Sequence, residues 1–196
     1  MQKPFKIRAA ASLLAVCLCV FLAACDRGGE TSVPDSAQAL SDEEVIERYR
    51  QAGYVYGWFE IYNIAFDAES EKLVDGVKYY KVAHEDIHDM ASLRACLGEY
   101  FAESIVNALL SPSRSPAEFV EADGVLYTNP TVRAADRFAG EESFRVVRSQ
   151  GGELINLLVD VEKLNGNMEQ DGTRGYTFVL KNTGGKWLFE NFSMVR

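Results

Sequence analysis

Apolar residues recur with helical spacing from position 41 onward. Ser41 and Glu44 form a capping-box pair, in which each side chain can accept a hydrogen bond from the other residue's backbone N–H. The apolar positions that follow are mostly three or four residues apart; they are Val45, Ile46, Tyr49, Ala52, Val55, Tyr56, Phe59 and Tyr62. This pattern predicts one long helix over about residues 42–64. Gly53 and Gly57, four residues apart on one face, are predicted to let another element approach closely.

The middle of the chain predicts short elements joined by turns. Residues 72–83 predict a strand, or a hairpin turned at Asp75-Gly76, because an Asp-Gly pair adopts the positive φ angles of a tight hairpin turn. Two short helices are predicted at residues 91–97 and about 102–110. A second Asp-Gly turn is predicted at Asp123-Gly124.

The last third of the chain predicts a meander of four strands. Apolar runs cover residues 143–148, 154–164, 176–181 and 187–195, with glycine-containing connections between them. Strands joined by short hairpins lie antiparallel to their sequence neighbours. The predicted fold class is therefore α+β, with the long N-terminal helix and the short helix pair packed on a curved antiparallel sheet that ends in the meander.

Residues 1–24 predict a signal peptide rather than part of the fold. Three basic residues precede an uncharged apolar run that is short for a membrane span. The run ends in Leu22-Ala23-Ala24-Cys25, which resembles the lipobox of bacterial lipoproteins, so Cys25 is the predicted site of lipid attachment. Residues 25–40 are a predicted flexible tether, rich in Gly, Ser, Pro and acids, and residues 41–196 a single domain. The expected location is the extracytoplasmic face of the cell membrane.

The net charge and the cysteine content bear on which partners and which chemistry to expect. The formal net charge is −9, and removal of the three basic residues of the signal peptide would make it −12. A chain this acidic repels phosphate, so nucleic acid is not an expected partner and the membrane is expected to hold the protein through the lipid alone. Cys96 would be the one thiol left in the mature domain, and its apolar helical context predicts a buried, inert group.

The two histidines of the chain stand in a literal H-E-x-x-H pattern, His84-Glu85-Asp86-Ile87-His88. In zinc peptidases one helical turn brings both imidazoles to the metal, and the glutamate polarises the zinc-bound water. Here the pattern falls between a predicted strand and a helix that Asp89 would cap. The prediction is a solvated acidic loop with no catalytic residue, no metal and no cofactor. His84 and His88 would be metal ligands only if the zinc-peptidase alternative held.

The predicted segments occur in a recognisable order. A long aromatic helix leads to a Tyr-rich strand (residues 77–82), the turn Glu85-Asp86-Ile87, a short helix pair, the hairpin at 123–127 and a meander closing on residues 185–189. This order resembles the IseA family, secreted inhibitors of the D,L-endopeptidases that cut peptidoglycan stem peptides. The resemblance spans about residues 41–196. The lipid anchor and the histidines beside the turn depart from the family pattern.

The resemblance implies a binding protein and not an enzyme. Such a protein would occupy the cleft of the NlpC/P60-type catalytic domain of a cell-wall hydrolase and restrain autolysis, and its acidity would steer it toward a basic partner. Glu85 and Asp86 are the candidate partner-binding residues. The alternative is an NTF2-like lipoprotein that binds a small molecule or wall fragment in a cone between helix and sheet. The residues that would line this cone are Tyr54, Tyr56, Trp58, Phe59, Trp187 and Phe189.

Overall fold

The computed structural model describes residues 39–111, 113, 116–130 and 138–195. These residues belong to one compact unit, Asp35–Arg196. The predicted signal peptide, Cys25 and most of the tether lie outside the described residues. The helices are α1 (Asp42–Gly57), α2 (Met90–Gly98) and α3 (Glu103–Leu109). The strands are β1 (Lys72–Val74), β2 (Val77–Lys81), β3 (Phe119–Ala122), β4 (Val125–Thr128), β5 (Ala139–Arg148), β6 (Leu154–Leu164), β7 (Gln170–Thr183) and β8 (Lys186–Phe189).

Helix α1 begins where the sequence predicts but ends at Gly57, so the predicted length to about residue 64 is wrong. The capping box is present, because Ser41 Oγ accepts from the Glu44 N–H (3.2 Å) and Glu44 Oε2 accepts from the Ser41 N–H (2.7 Å). At the other end the Gly57 carbonyl accepts from the N–H groups of Ile61 (2.8 Å) and Tyr62 (2.7 Å). These bonds turn the chain back on itself, and glycine is a poor helix former.

The predicted close approach is found at Gly57, through Tyr62 of the turn that follows α1, but not at Gly53. A Cβ atom on Gly53 would lie 4.0 Å from Cζ of Phe192, which is ordinary contact. A Cβ atom on Gly57 would lie 2.5 Å from Cδ2 of Tyr62, so the tyrosine ring occupies the space that a side chain would need. A methyl group therefore fits at position 53 but would collide with the Tyr62 ring at position 57.

Changing Gly53 to alanine is expected to raise the free energy of unfolding by about 0.5–1 kcal/mol, because alanine is the better helix former and the site has room. Gly57→Ala is the matched comparison and should give no gain, because its methyl group displaces the Tyr62 ring. Urea unfolding of the two variants measures both effects. Equal stabilisation by the two changes would contradict the packing described here.

The strands form two antiparallel sheets rather than the single curved sheet that was predicted. The first, the hairpin sheet, has the order β1-β2-β4-β3, and the second, the meander, has the order β5-β6-β7-β8. Both Asp-Gly hairpins are confirmed, with φ of 49° and 80° at Asp75-Gly76 and 56° and 73° at Asp123-Gly124. Register shifts in β5–β6 and β6–β7 bend the meander. The α+β class, the helix pair and the four-strand meander are confirmed.

The core packs α1 and the helix pair against the inner face of the meander. Alternate residues of β6 point inward and are buried, and they are Ile155, Leu157, Val159 and Val161. Phe189 on β8 connects the meander to the segment between α2 and α3. Its N–H donates to the Tyr100 carbonyl (2.8 Å), and its carbonyl accepts from the Ala102 N–H (2.9 Å).

Candidate functional site

The loop between β2 and α2 carries both histidines and both predicted partner-binding acids. Residues 83–89 are not helical, so the predicted loop is confirmed and the two imidazoles are not held one helical turn apart. The His84 ring packs edge-on against Trp58, with centroids 6.0 Å apart. The His88 side chain is 72% exposed, and its Nε2 lies 3.8 Å from Asp89 Oδ2. Within the described ranges, no group of three or more His, Cys, Asp or Glu side chains could hold a metal ion.

The loop is fixed to the domain on both sides of Glu85 and Asp86. Before them, the Ala83 N–H donates to the Ala65 carbonyl (2.8 Å). After them, Ile87 is buried in the core, and the His88 carbonyl accepts from the N–H of Leu126 on β4 (2.8 Å). Within the loop, the Asp86 N–H donates to Nδ1 of His84 (3.2 Å). These contacts hold two exposed carboxylates on a short, anchored segment, which we call the acidic loop (residues 84–88).

Asp89 starts helix α2 directly after the acidic loop, as the sequence predicts. Its Oδ1 accepts from the Ser92 N–H (2.7 Å), and Ser92 Oγ accepts from the Asp89 N–H (3.1 Å). Hydrogen bonds from the Ser92 hydroxyl and then from its backbone lower the pKa of the Asp89 carboxyl, which is therefore ionised at neutral pH. The cap fixes the point at which the loop ends and the helix begins.

Cys96 on α2 is partly buried rather than fully buried. Burial raises the pKa of its thiol, so little thiolate forms at neutral pH. A thiol in this state is a poor nucleophile, which agrees with the expectation of an unreactive group.

The internal cone of the alternative prediction is occupied by side chains. Four of its six predicted lining residues are buried members of the packed core: Trp58, Phe59, Trp187 and Phe189. Tyr56 is partly buried and packs edge-on against Phe101, with ring centroids 5.8 Å apart. Tyr54 differs from the others, because it lines an open groove on the outside of the domain.

This groove has a volume of about 360 Å³ and lies between α1, the turn after it, the start of β5 and the segment at residues 192–195. We call it the tyrosine groove, because Tyr54 and Tyr62 line it and are 59% and 47% exposed. Arg50 and Glu142 also line it. Of these four residues, only Tyr54 is predicted from the sequence to line a ligand site, whereas Tyr62 is predicted to lie on a helix face that does not form.

Polar groups of the tyrosine groove are held in place by the scaffold. The hydroxyl of the buried Tyr49 donates to Oε1 of Glu142 at 3.3 Å. Burial, followed by the adjacent Glu142 carboxylate, raises the pKa of the Tyr49 phenol, which keeps its proton for this bond. The Arg50 guanidinium lies 5.6 Å from the centroid of the Phe144 ring, within cation–π distance. One cationic and one anionic group therefore stand in the same groove.

Fold and geometry define an α+β domain that presents a fixed acidic loop and an open aromatic groove. No model of a known protein family matches the chain, and no curated protein gives a significant match. Among the described residues, no helix has both the length and the apolar character needed to cross a membrane.

Proposed function

We propose that this protein is a lipoprotein, held through Cys25 at the extracytoplasmic face of the cell membrane, that binds and inhibits peptidoglycan D,L-endopeptidases of the NlpC/P60 type. By occupying the catalytic cleft of such a hydrolase it restrains cell-wall autolysis. In this proposal the protein is a binding partner and not an enzyme. The observation that carries the proposal is the acidic loop, where Glu85 and Asp86 are exposed between anchored neighbours.

An inhibitor gains affinity when its contact loop is already ordered, because less conformational entropy is lost on binding. The buried Ile87 and the hydrogen bonds of Ala83 and His88 give the acidic loop this property. A segment of this kind can enter a cleft without first being ordered by the enzyme.

Charge supports the same proposal. With a net charge of −9 over the whole chain, the protein attracts basic surfaces, which speeds the encounter with such partners and selects among them. Glu85 and Asp86 add two local charges at the point of contact. The proposed partner is therefore a hydrolase with a basic rim around its cleft.

The other candidate functions have less support from the geometry. The residues predicted to line an internal ligand cone are mostly core, and the histidines of the zinc-peptidase pattern face different surroundings. We therefore retain the inhibitor as the proposed function.

The test of this function is an endopeptidase assay on purified peptidoglycan with one equivalent of the protein. We expect cleavage to fall, and we expect Glu85→Gln with Asp86→Asn to weaken inhibition at least tenfold, because charged contacts at the centre of an interface each contribute more than about 1 kcal/mol.

The matched control is Glu153→Gln with Asp171→Asn, which removes the same charge from two exposed positions, one in the turn before β6 and one on β7. It should leave inhibition within about twofold of the parent value. Undiminished cleavage by every D,L-endopeptidase of the host would refute the proposed function. Equal weakening by the two double variants would refute the role of the acidic loop.

A further inference from the structure

We propose that the tyrosine groove is a second binding site, separate from the acidic loop, that takes a glycan chain whose pyranose rings stack on Tyr54 and Tyr62. This inference goes beyond the proposed inhibition and does not depend on it. It rests on the exposure of the two tyrosine side chains, on the polar groups beside them and on the partly open shape of the groove.

The Tyr54 and Tyr62 side chains are exposed, but packing contacts restrict the orientation of both rings. Tyr54 packs edge-on against the buried Trp58, with centroids 5.7 Å apart and an interplanar angle of 76°. The Tyr62 ring lies against Gly57 in the space that a Cβ atom would take. The two rings are 6.3 Å apart with an angle of 31° between their planes. Such rings form a prepared platform, because few torsion angles are left to be fixed when a ligand arrives.

Stacking on these faces suits a sugar ring. The face of an aromatic ring carries partial negative charge, and the C–H groups on one side of a pyranose carry partial positive charge. A ring of this kind also covers apolar surface that is otherwise in contact with water. Two neighbouring platforms fit two rings of a chain better than they fit one isolated sugar.

The polar groups of the groove match the hydroxyl groups of a sugar. A guanidinium group donates two parallel hydrogen bonds, and a carboxylate accepts two, so each can hold a pair of neighbouring hydroxyls. Arg50 and Glu142 supply one group of each kind, and the Tyr49 hydroxyl holds Glu142 in position. Because the groove contains both signs of charge, it favours an uncharged, hydroxyl-rich ligand over a strong anion or cation.

The shape of the groove supports a chain rather than a compact molecule. Its volume of about 360 Å³ is within the range of known ligand sites, which is roughly 300–1,000 Å³. Pockets for compact ligands enclose most of the ligand surface, whereas this groove is partly open to solvent. A ligand bound in a partly open groove does not need to be fully enclosed, so a chain longer than the groove can still bind there.

The test is calorimetric titration of the full-length protein, purified in a detergent without a sugar headgroup. The probes are the hexamer of N-acetylglucosamine, which is uncharged, and wall glycan strands freed of their stem peptides, which carry a carboxylate on each N-acetylmuramic acid. We expect the uncharged hexamer to bind, and the anionic wall strands to bind no more tightly than the hexamer. Binding of the wall strands without binding of the hexamer would overturn the inference. We expect Tyr54→Ala and Tyr62→Ala each to weaken binding at least tenfold, while Tyr54→Phe retains it.

Tyr127→Ala is the matched control, because Tyr127 is a partly exposed tyrosine on β4 outside the groove. It should bind like the parent, and all variants should unfold at closely similar temperatures. Inhibition of the endopeptidase should be unchanged in Tyr62→Ala, because the contacts of Tyr62 are with Tyr54 and Gly57 rather than with Trp58, which packs against His84 of the acidic loop. Failure of this inference and failure of the proposed function are therefore separable. The inference is overturned if neither glycan binds at millimolar concentration. It is also overturned if both tyrosine variants bind normally, or if a free stem peptide binds in the groove as well as the glycans do.

Discussion

Replacing Phe189 with alanine will lower the free energy of unfolding by about 3–5 kcal/mol, the usual cost of removing a buried phenylalanine ring. The loss corresponds to a fall in melting temperature of roughly 6–20 °C for a domain of this size. The measurement is urea or thermal unfolding followed by circular dichroism.

The size of this effect follows from the position of the ring. Phe189 is fully buried, and its ring makes an edge-to-face contact with Phe192 (centroids 5.0 Å apart, planes at 74°). It makes a second such contact with Phe178 on β7 (6.4 Å, 89°) and lies 6.4 Å from the Phe101 ring. Its backbone also bonds to the segment between α2 and α3. An alanine at this position would leave a cavity where the meander meets the helix pair.

Leu73→Ala is the control for this prediction. Leu73 on β1 is 64% exposed, so its truncation removes little buried surface and should change stability by less than about 0.5 kcal/mol. A Phe189→Ala loss as small as that of Leu73→Ala would contradict the packing of the core.

For the proposed lipoprotein, we expect Cys25→Ala to move the protein from the membrane fraction to the soluble fraction, or to leave it as an uncleaved precursor. The methyl group of alanine cannot form the thioether that joins the cysteine sulfur to diacylglycerol. Two acyl chains hold a protein stably at a membrane, whereas an acidic domain has no attraction of its own for anionic headgroups. Fractionation of cells and the mass of the intact protein measure the change.

Cys19→Ala is the matched control, because Cys19 lies within the predicted signal peptide and would be removed with it, whereas Cys25 would remain as the lipidated residue. The mature product of this variant should keep both its mass and its place in the membrane fraction. A Cys25→Ala protein that stays in the membrane fraction after correct cleavage would refute the predicted lipid anchor.

Elements set by local chemistry could be predicted from the sequence. The capping box at Ser41, the cap at Asp89 and the two Asp-Gly hairpins each depend on residues within four positions of one another. The meander could be predicted for the same reason, because its connections are short. In each case the residues that decide the conformation are neighbours in the chain.

Two features of the fold could not be predicted in this way. Helix α1 ends at Gly57. Phe59 and Tyr62 nevertheless continue the helical spacing of apolar residues beyond this glycine, so the spacing predicts a longer helix than the one that forms. The division into two sheets depends on the pairing of β2 with β4, where Tyr80 lies opposite Thr128. That pairing joins segments almost fifty positions apart, and no local pattern specifies it.

The two candidate sites also differ in whether residues close together in the sequence define them. The acidic loop could be located from the sequence, because a predicted strand ends just before it and the Asp89 cap comes just after it. These neighbours also explain why the H-E-x-x-H pattern is not part of a helix. The tyrosine groove could not be located, because Arg50 and Glu142 are far apart in the chain and meet only in the folded domain. The one sequence signal for this groove is Tyr54, an aromatic residue of α1 that does not belong to the helix's regularly spaced apolar face.

The most direct test of the central claim is the alkylation rate of the catalytic cysteine in a D,L-endopeptidase of the host. The claim is that the acidic loop occupies the cleft in which that cysteine lies. One equivalent of the protein should slow the reaction of iodoacetamide with the cysteine at least tenfold, and Glu85→Gln with Asp86→Asn should restore the free rate. An unchanged alkylation rate at saturating protein would contradict the claim.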